Sequence, residues 1–158
     1  MTLGLGGGCH WCTEAVFARL KGVSAVSQGW ISSVAPNEAF SEAIEVQFDP
    51  EIIPLEVIIH IHLRTHSSAS EHAMRHKYRS AIYTVRESDA LAAEASLAAL
   101  QPHFPQPLIT QVLPLVAFRL NSEEYLDYYL KNPEKPFCKT YIDPKIRQIT
   151  HDFSPYCS

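Results

Sequence analysis

The chain has 158 residues, of which 46% are hydrophobic and 19% charged, and its formal net charge is −4. These values describe one compact domain with enough apolar residues for a core, and the acidic balance supplies no basic footprint for nucleic acid or for an anionic membrane surface. No apolar run approaches the ~20 residues that span a bilayer, and Met1 to Leu5 lack the basic and apolar regions of a signal peptide, so a cytoplasmic protein is expected.

In chain order, Thr2 to Gly7 reads as a short strand entering a glycine cluster, Gly6-Gly7-Gly8. Thr13 to Lys21 follows as a helix, with Val16, Phe17 and Leu20 as its apolar stripe and Gly22 as its stop. Ser24 to Ile31 reads as a strand, Pro36-Asn37 marks a turn, and Ser41 to Phe48 alternates apolar and polar residues as a half-buried strand does. Pro54 opens a helix over Leu55 to Leu63. Tyr78 to Val85 is β-rich, Asp89 to Leu100 is an alanine- and leucine-rich helix, and Leu108 to Leu115 is a strand. Ser122 to Leu130 reads as a helix capped by Ser122, with Glu123-Glu124 in its first turn. From Lys131 onward Pro133 and Pro136 point to an extended tail, with a short helix over Asp143 to Thr150. The expected fold is α+β: a single domain over 1–158 in which helices cover a mixed sheet, a ferredoxin-like plait, with 131–158 as a C-terminal tail.

The chemistry centres on cysteine. Of the four cysteines, Cys9, Cys12, Cys138 and Cys157, none is needed as a disulfide staple in a chain with this much core. Cys9 stands between the glycine cluster that closes a strand and the start of a helix. Glycines let the backbone turn sharply and let a ligand approach. The helix start offers unpaired N–H groups and partial positive charge, which lower a thiol pKa from its free value of about 8.5 and favour the reactive thiolate. Cys12 completes a Cys-X-X-Cys pair, a spacing shared by dithiol oxidoreductases and half-sites for zinc, and it also reads as an inward-packed helix residue.

The segment Gly7-Gly8-Cys9-His10-Trp11-Cys12-Thr13-Glu14-Ala15-Val16-Phe17 resembles the active-site region of the peptide methionine sulfoxide reductase A family. Further segments agree in order: Gly22-Val23 with Gln28-Gly29-Trp30, Glu42-Ala43 before Phe48-Asp49-Pro50, Tyr78-Arg79-Ser80-Ala81-Ile82-Tyr83, and Glu123, Tyr125 and Tyr129-Leu130-Lys131-Asn132-Pro133. The resemblance covers nearly the whole chain. It implies reduction of methionine-S-sulfoxide, free or in peptides, without a cofactor or metal, by attack of the Cys9 thiolate on the sulfoxide sulfur. Glu42 would be the acid, held protonated by a buried site, and Tyr78 a phenolic donor to the sulfoxide oxygen. Trp11 would wall the apolar methyl pocket, where contacts of sulfur with aromatic rings are worth about 0.3–1.5 kcal/mol. His10 and Trp30 would line the same site. Attack leaves a sulfenic acid that a second thiol condenses into a disulfide. Cys138 aligns with the family's resolving cysteine, Cys12 and Cys157 are the other candidates, and a thioredoxin-like donor would reduce the disulfide.

The chain departs from the family pattern at several positions. His10 replaces phenylalanine, Ala73 stands where the family has aspartate, His66 is followed by Ser67-Ser68 instead of Asp-Pro, and Leu126-Asp127 replaces His-Gln. Glu14, in the expected first helical turn, reads as a complement to the helix dipole. Three other readings fit the same residues. A zinc site would draw on Cys9, Cys12 and the run His60, His62, His66, His72 and His76, although ordinary helix placement also accounts for His60 and His62. A generic thiol-disulfide oxidoreductase would use Cys9 and Cys12. A redox sensor would keep the scaffold without turnover.

Overall fold

The computed structural model describes residues 1–7, 10–66, 79–122, 126, 131, 134–136 and 138–157, with His10, Cys138 and Tyr141 described by their backbone. The elements run β1 (Thr2–Gly6), α1 (His10–Phe17), β2 (Val23–Ser32), β3 (Ser41–Phe48), α2 (Leu55–Arg64), β4 (Ala81–Thr84), α3 (Glu87–Leu100), β5 (Gln111–Pro114), β6 (Ala117–Leu120) and α4 (Asp143–Asp152). A π-helical turn, Cys138–Ile142, leads into α4, and short 3₁₀ turns follow α3 and α4.

The six strands form one sheet in the order β5-β4-β1-β3-β2-β6. Its middle four, β4-β1-β3-β2, arise from a β-α-β-β-α-β run and pair antiparallel throughout, which is the plait expected from the element order. β5 adds parallel to β4 at one edge and β6 antiparallel to β2 at the other, so the sheet is mixed. β6 is absent from the sequence-based expectation. Its four residues carry little strand signal of their own, and their pairing with Gly29 to Ser32 is a long-range contact that propensity does not encode. The strand expected over Leu108 to Leu115 shortens to Gln111–Pro114, and that over Tyr78 to Val85 to Ala81–Thr84 within the described residues. The helix expected over Ser122 to Leu130 lies largely outside them.

Alternation along β1 divides the sheet into two faces. Leu3 and Leu5 are fully buried on the side where α1, α2, α3 and α4 contribute Val16, Phe17, Ile58, Ile59, Ala93, Ile146 and Ile149 to the main core. Each of these aliphatic and aromatic side chains larger than alanine contributes roughly 1.5–3 kcal/mol of burial free energy. Gly4 and Gly6 point to the other face, where Ile31, Ala43, Ala81 and Tyr83 form a second cluster. A Cβ on Gly4 would lie 2.5 Å from Ile31 Cδ1 and 2.8 Å from Tyr83 Cβ. Across Gly4, Tyr83 accepts a 2.9 Å hydrogen bond from Arg79 Nε, and Arg79 Nη2 donates to the carbonyls of Ile31 and Ala39 at 3.0 and 3.1 Å. Burial pushes the Tyr83 phenol above its ordinary pKa, partly offset by the Arg79 charge.

α1 starts three residues earlier than its apolar stripe predicts and stops at Phe17. Residues Cys12 to Phe17 are all buried, because the sheet covers one side of the helix and the π-helical turn and α4 another; a helix buried all round shows no stripe to date its start. The C-terminal region folds back over the domain: α4 follows the expected short helix, and Lys21 N–H donates to the Tyr156 carbonyl at 2.8 Å while Leu20 bridges Cys157. No helix among the described residues is long and apolar enough to cross a membrane.

Where α2 meets the C-terminal region, the His60 ring lies 5.4 Å from His103, 5.0 Å from Phe153 and 6.1 Å from Phe104, centroid to centroid. Arg64 Nε donates to His60 Nε2 at 3.3 Å. Desolvation first, then the positive charges of Arg64 and His103, hold His60 below its ordinary pKa of 6.5, against smaller opposing effects of Glu56 and Asp152.

Two outcomes follow from this packing. Gly4→Val overfills the narrow second face and is expected to cost about 1–3 kcal/mol, read as a lowered urea midpoint. His60 has a folded-state pKa below its unfolded value, so the unfolded chain binds the extra proton first. Its stabilising contribution is therefore complete above pH 6.5 and is lost as pH falls through the folded value. Unfolding midpoints compared at about pH 7.5 and about pH 5.5 should fall less for His60→Gln than for the unaltered protein.

Candidate functional site

Among the described residues, the topology brings the predicted Trp30 and Glu42 to one end of the sheet. β1 leaves the sheet there through Gly6 and Gly7, β2 arrives at Trp30 to Ser32, β3 begins at Ser41 and Glu42, and β4 begins just after Arg79 and Ser80. Cys9 and Tyr78 lie outside the described residues. The residues that flank them, Gly7 and His10 on one side and Arg79 on the other, belong to this same end. The Arg79 backbone N–H donates to Ser41 Oγ at 2.8 Å, which ties the entry to β4 onto the start of β3.

Glu42 is 5% exposed. It stands opposite Trp30 in the β2–β3 register and shares its face with Ile44 and Val46, the face that α1 covers. Trp30 is half-buried, and Trp11, in the first turn of α1, is half-buried against the main core. Glu42, Trp30 and Trp11 therefore belong to the helix-covered side of the sheet.

Glu14 is corrected by the structure. Because α1 begins at His10, Glu14 is its fifth residue and lies outside the first turn. It is 4% exposed, so it does not act as a surface complement to the dipole. Its Oε1 accepts 2.7 Å from Gln28 Nε2, and Gln28 Oε1 accepts 2.7 Å from Asn121 Nδ2. Asn121 N–H also donates to the Gln28 carbonyl at 2.9 Å. Sequence reasoning missed Gln28 and Asn121. The available signal is a glutamine at a position facing a buried glutamate, visible only once the helix register is known.

His62 and His66, read from the sequence only as zinc-site candidates or ordinary helix residues, make specific contacts here. His62 is 1% exposed, and its Nε2 donates to the Gly6 carbonyl at 2.7 Å. His66 Nδ1 donates to the His62 carbonyl at 2.7 Å, and its Nε2 meets Ser80 Oγ at 2.7 Å. His60 turns instead toward His103 and Phe153, so the histidine run divides between two regions. His72 and His76 lie outside the described residues, and among the described ones no three His, Cys, Asp or Glu side chains group as metal ligands.

The candidate recycling cysteines occupy three different places. Cys12 is 2% exposed within the main core. Cys157 is half-buried at the end of α1 remote from His10, where it bridges Leu20 and its thiol donates to the Phe153 carbonyl at 3.4 Å. Cys138 opens the π-helical turn that packs on α1.

Comparison with known proteins bears on the family and the fold. Residues 1–155 match the family model of peptide methionine sulfoxide reductase. A relative from Sulfolobus acidocaldarius, named peptide methionine sulfoxide reductase MsrA, is 32% identical over 163 aligned positions, covering 94% of this chain and 93% of that protein. The crystal structure of reduced Mxr1 from Saccharomyces cerevisiae superposes with a TM-score of 0.76 at 20% identity, covering 89% of this chain and 90% of that one. Mxr1 in complex with Trx2 superposes with a TM-score of 0.62 at 19% identity, over 80% and 84% of the two chains. With a family model matching residues 1–155 and a relative 32% identical over nearly its whole length, the chain belongs to the peptide methionine sulfoxide reductase family and is an oxidoreductase.

Proposed function

We propose that the protein reduces methionine-S-sulfoxide, free or in peptides, with Cys9 as the nucleophile. The observation that carries this reading is the placement of a buried carboxyl group, Glu42, at the sheet end where β1 delivers the chain to the N-terminus of α1. An S–O bond breaks most readily when its oxygen is protonated as charge develops on it, and burial favours the neutral, proton-donating form of a carboxylic acid.

The Cys9 thiolate attacks the sulfoxide sulfur while Glu42 donates a proton to the oxygen and the Tyr78 hydroxyl donates a hydrogen bond to it. The sulfur is reduced to the thioether, and the oxygen is retained on Cys9 as sulfenic acid. Trp11 and Trp30 supply aromatic surface for the substrate methyl group, and His10 gives that pocket a polar, titratable edge. A second thiol then attacks the sulfenic sulfur, forming a disulfide and releasing water. Cys138 suits this step because its turn packs on α1. Cys12 faces the core, and Cys157 sits at the other end of the helix. A dithiol donor of the thioredoxin type takes up the disulfide, as the complex of Mxr1 with Trx2 suggests by analogy, and a reducing cytosolic setting belongs to the same reading. The burial of Cys12 weighs against a dithiol exchange centre built on Cys9 and Cys12.

Cys9→Ser should abolish thioredoxin-coupled reduction of methionine-S-sulfoxide; full activity in that variant refutes the assignment. Cys138→Ser should complete one turnover and then stop, whereas continued cycling would transfer the resolving role to Cys12 or Cys157. Glu42→Gln should lower kcat by about 100-fold or more, the usual value of general-acid assistance. An unchanged kcat in a folded protein would remove Glu42 from the mechanism.

A further inference from the structure

The geometry points to His66, with His62 behind it, as a positioning residue for Cys9; this deepens the reading above and rests on Cys9 being the nucleophile. Gly7 precedes Cys9 by two residues and has φ +143°, a backbone state that glycine alone adopts freely and therefore the most entropically costly to hold. The His66 ring lies against it so closely that a Cβ on Gly7 would be 2.5 Å from Cδ2 and 2.6 Å from Nε2. On the preceding residue, the Gly6 carbonyl is held by the 2.7 Å hydrogen bond from His62 Nε2. The two rings lie against each other, tilted by 35° with centroids 4.4 Å apart, so one unit grips both glycines.

The His66 ring is itself fixed in orientation. Its Nδ1–H donates to the His62 carbonyl, which assigns the neutral ring's acceptor to Nε2, where Ser80 Oγ donates; Ser80 Oγ in turn lies 2.8 Å from Thr110 Oγ1. The chain Thr110–Ser80–His66 thus runs from the start of β5 across the approach to β4 and ends on Gly7. These bonds restrict the ring, the ring restricts Gly7, and Gly7 stands two residues before Cys9 and three before the start of α1. A displacement of about 1 Å at a reacting atom costs on the order of 100-fold in rate, so confinement of this turn is a catalytic asset without any contact between His66 and substrate.

The test is the second-order rate of Cys9 alkylation by iodoacetamide in the reduced full-length protein, read by peptide mass mapping, with Cys157 as an internal control. In His66→Ala the Cys9 rate and kcat should both fall by about tenfold or more, with KM changed less than about threefold and Cys157 labelling unchanged. Ser80→Ala, which unties Nε2 and keeps the ring, should shift the Cys9 rate in the same direction by a smaller factor, and it decides the matter if His66→Ala fails to fold. A Cys9 rate equal to that of the unaltered protein in both folded variants overturns the inference, whatever happens to Tm. If Cys9 of the unaltered protein reacts no faster than an ordinary thiol, the nucleophile assignment falls, and this inference with it.

Discussion

The two-faced composition of β1 is the constraint on which the rest of the molecule depends. As the central strand it pairs with both β3 and β4, and its alternation of leucine and glycine assigns opposite tasks to the two sides. Leu3 and Leu5 anchor the main core beneath the helices. Gly4 and Gly6 leave a depression on the other side that Tyr83 fills and Arg79 braces. A side chain at either glycine would push Tyr83 or the neighbouring strands away. The same strand ends at Gly6, and its chain continues through Gly7 toward α1, which begins at His10.

Around that end of the sheet the domain buries several polar side chains that are tied to backbone or to another polar side chain. Arg79 spends its donors on Tyr83 and on two carbonyls, Ile31 and Ala39. Gln28 bridges Glu14 and Asn121. Buried polar groups cost several kcal/mol when they lack partners and confer a unique geometry when they have them. Here the hydrogen-bonded groups connect β2, the start of β3, the approach to β4 and α1, the elements that surround the candidate site. The site is therefore built on rigid strand ends with polar cross-ties, while the opposite end of the sheet carries an open depression lined by Met1, Gly22, Phe48 and Pro50 with none of these ties.

Much of this organisation is legible in the residues. The alternation of Ile44, Val46 and Phe48 marks β3 correctly from Ser41 to Phe48, Pro54 marks the start of α2, and the glycine cluster before Cys9 marks a strand-to-helix turn. These signals are local: a side-chain period, a fixed proline φ and a residue without Cβ act over a few positions. The readings that moved depend on partners distant in sequence. The register of α1 is hidden because all its sides are covered, which is why Glu14 changes from a first-turn complement to the helix dipole to a buried acceptor from Gln28. β6 exists because β2 offers a free edge.

By itself, then, the sequence determined the family, through motifs spread over the whole chain, and it singled out Cys9, between a glycine-ended strand and a helix, as the nucleophile to propose. Those features are carried by residue type and short spacing. Tertiary structure alone decided that Glu42 is buried opposite Trp30 on the helix-covered face, and that Cys12 is committed to the core while the turn that Cys138 opens packs on α1. It alone brought two histidines of α2 and its following turn onto Gly6 and Gly7. Burial and long-range register are properties of the assembled sheet, since a residue's exposure depends on which strand or helix arrives beside it, and no local pattern contains that information.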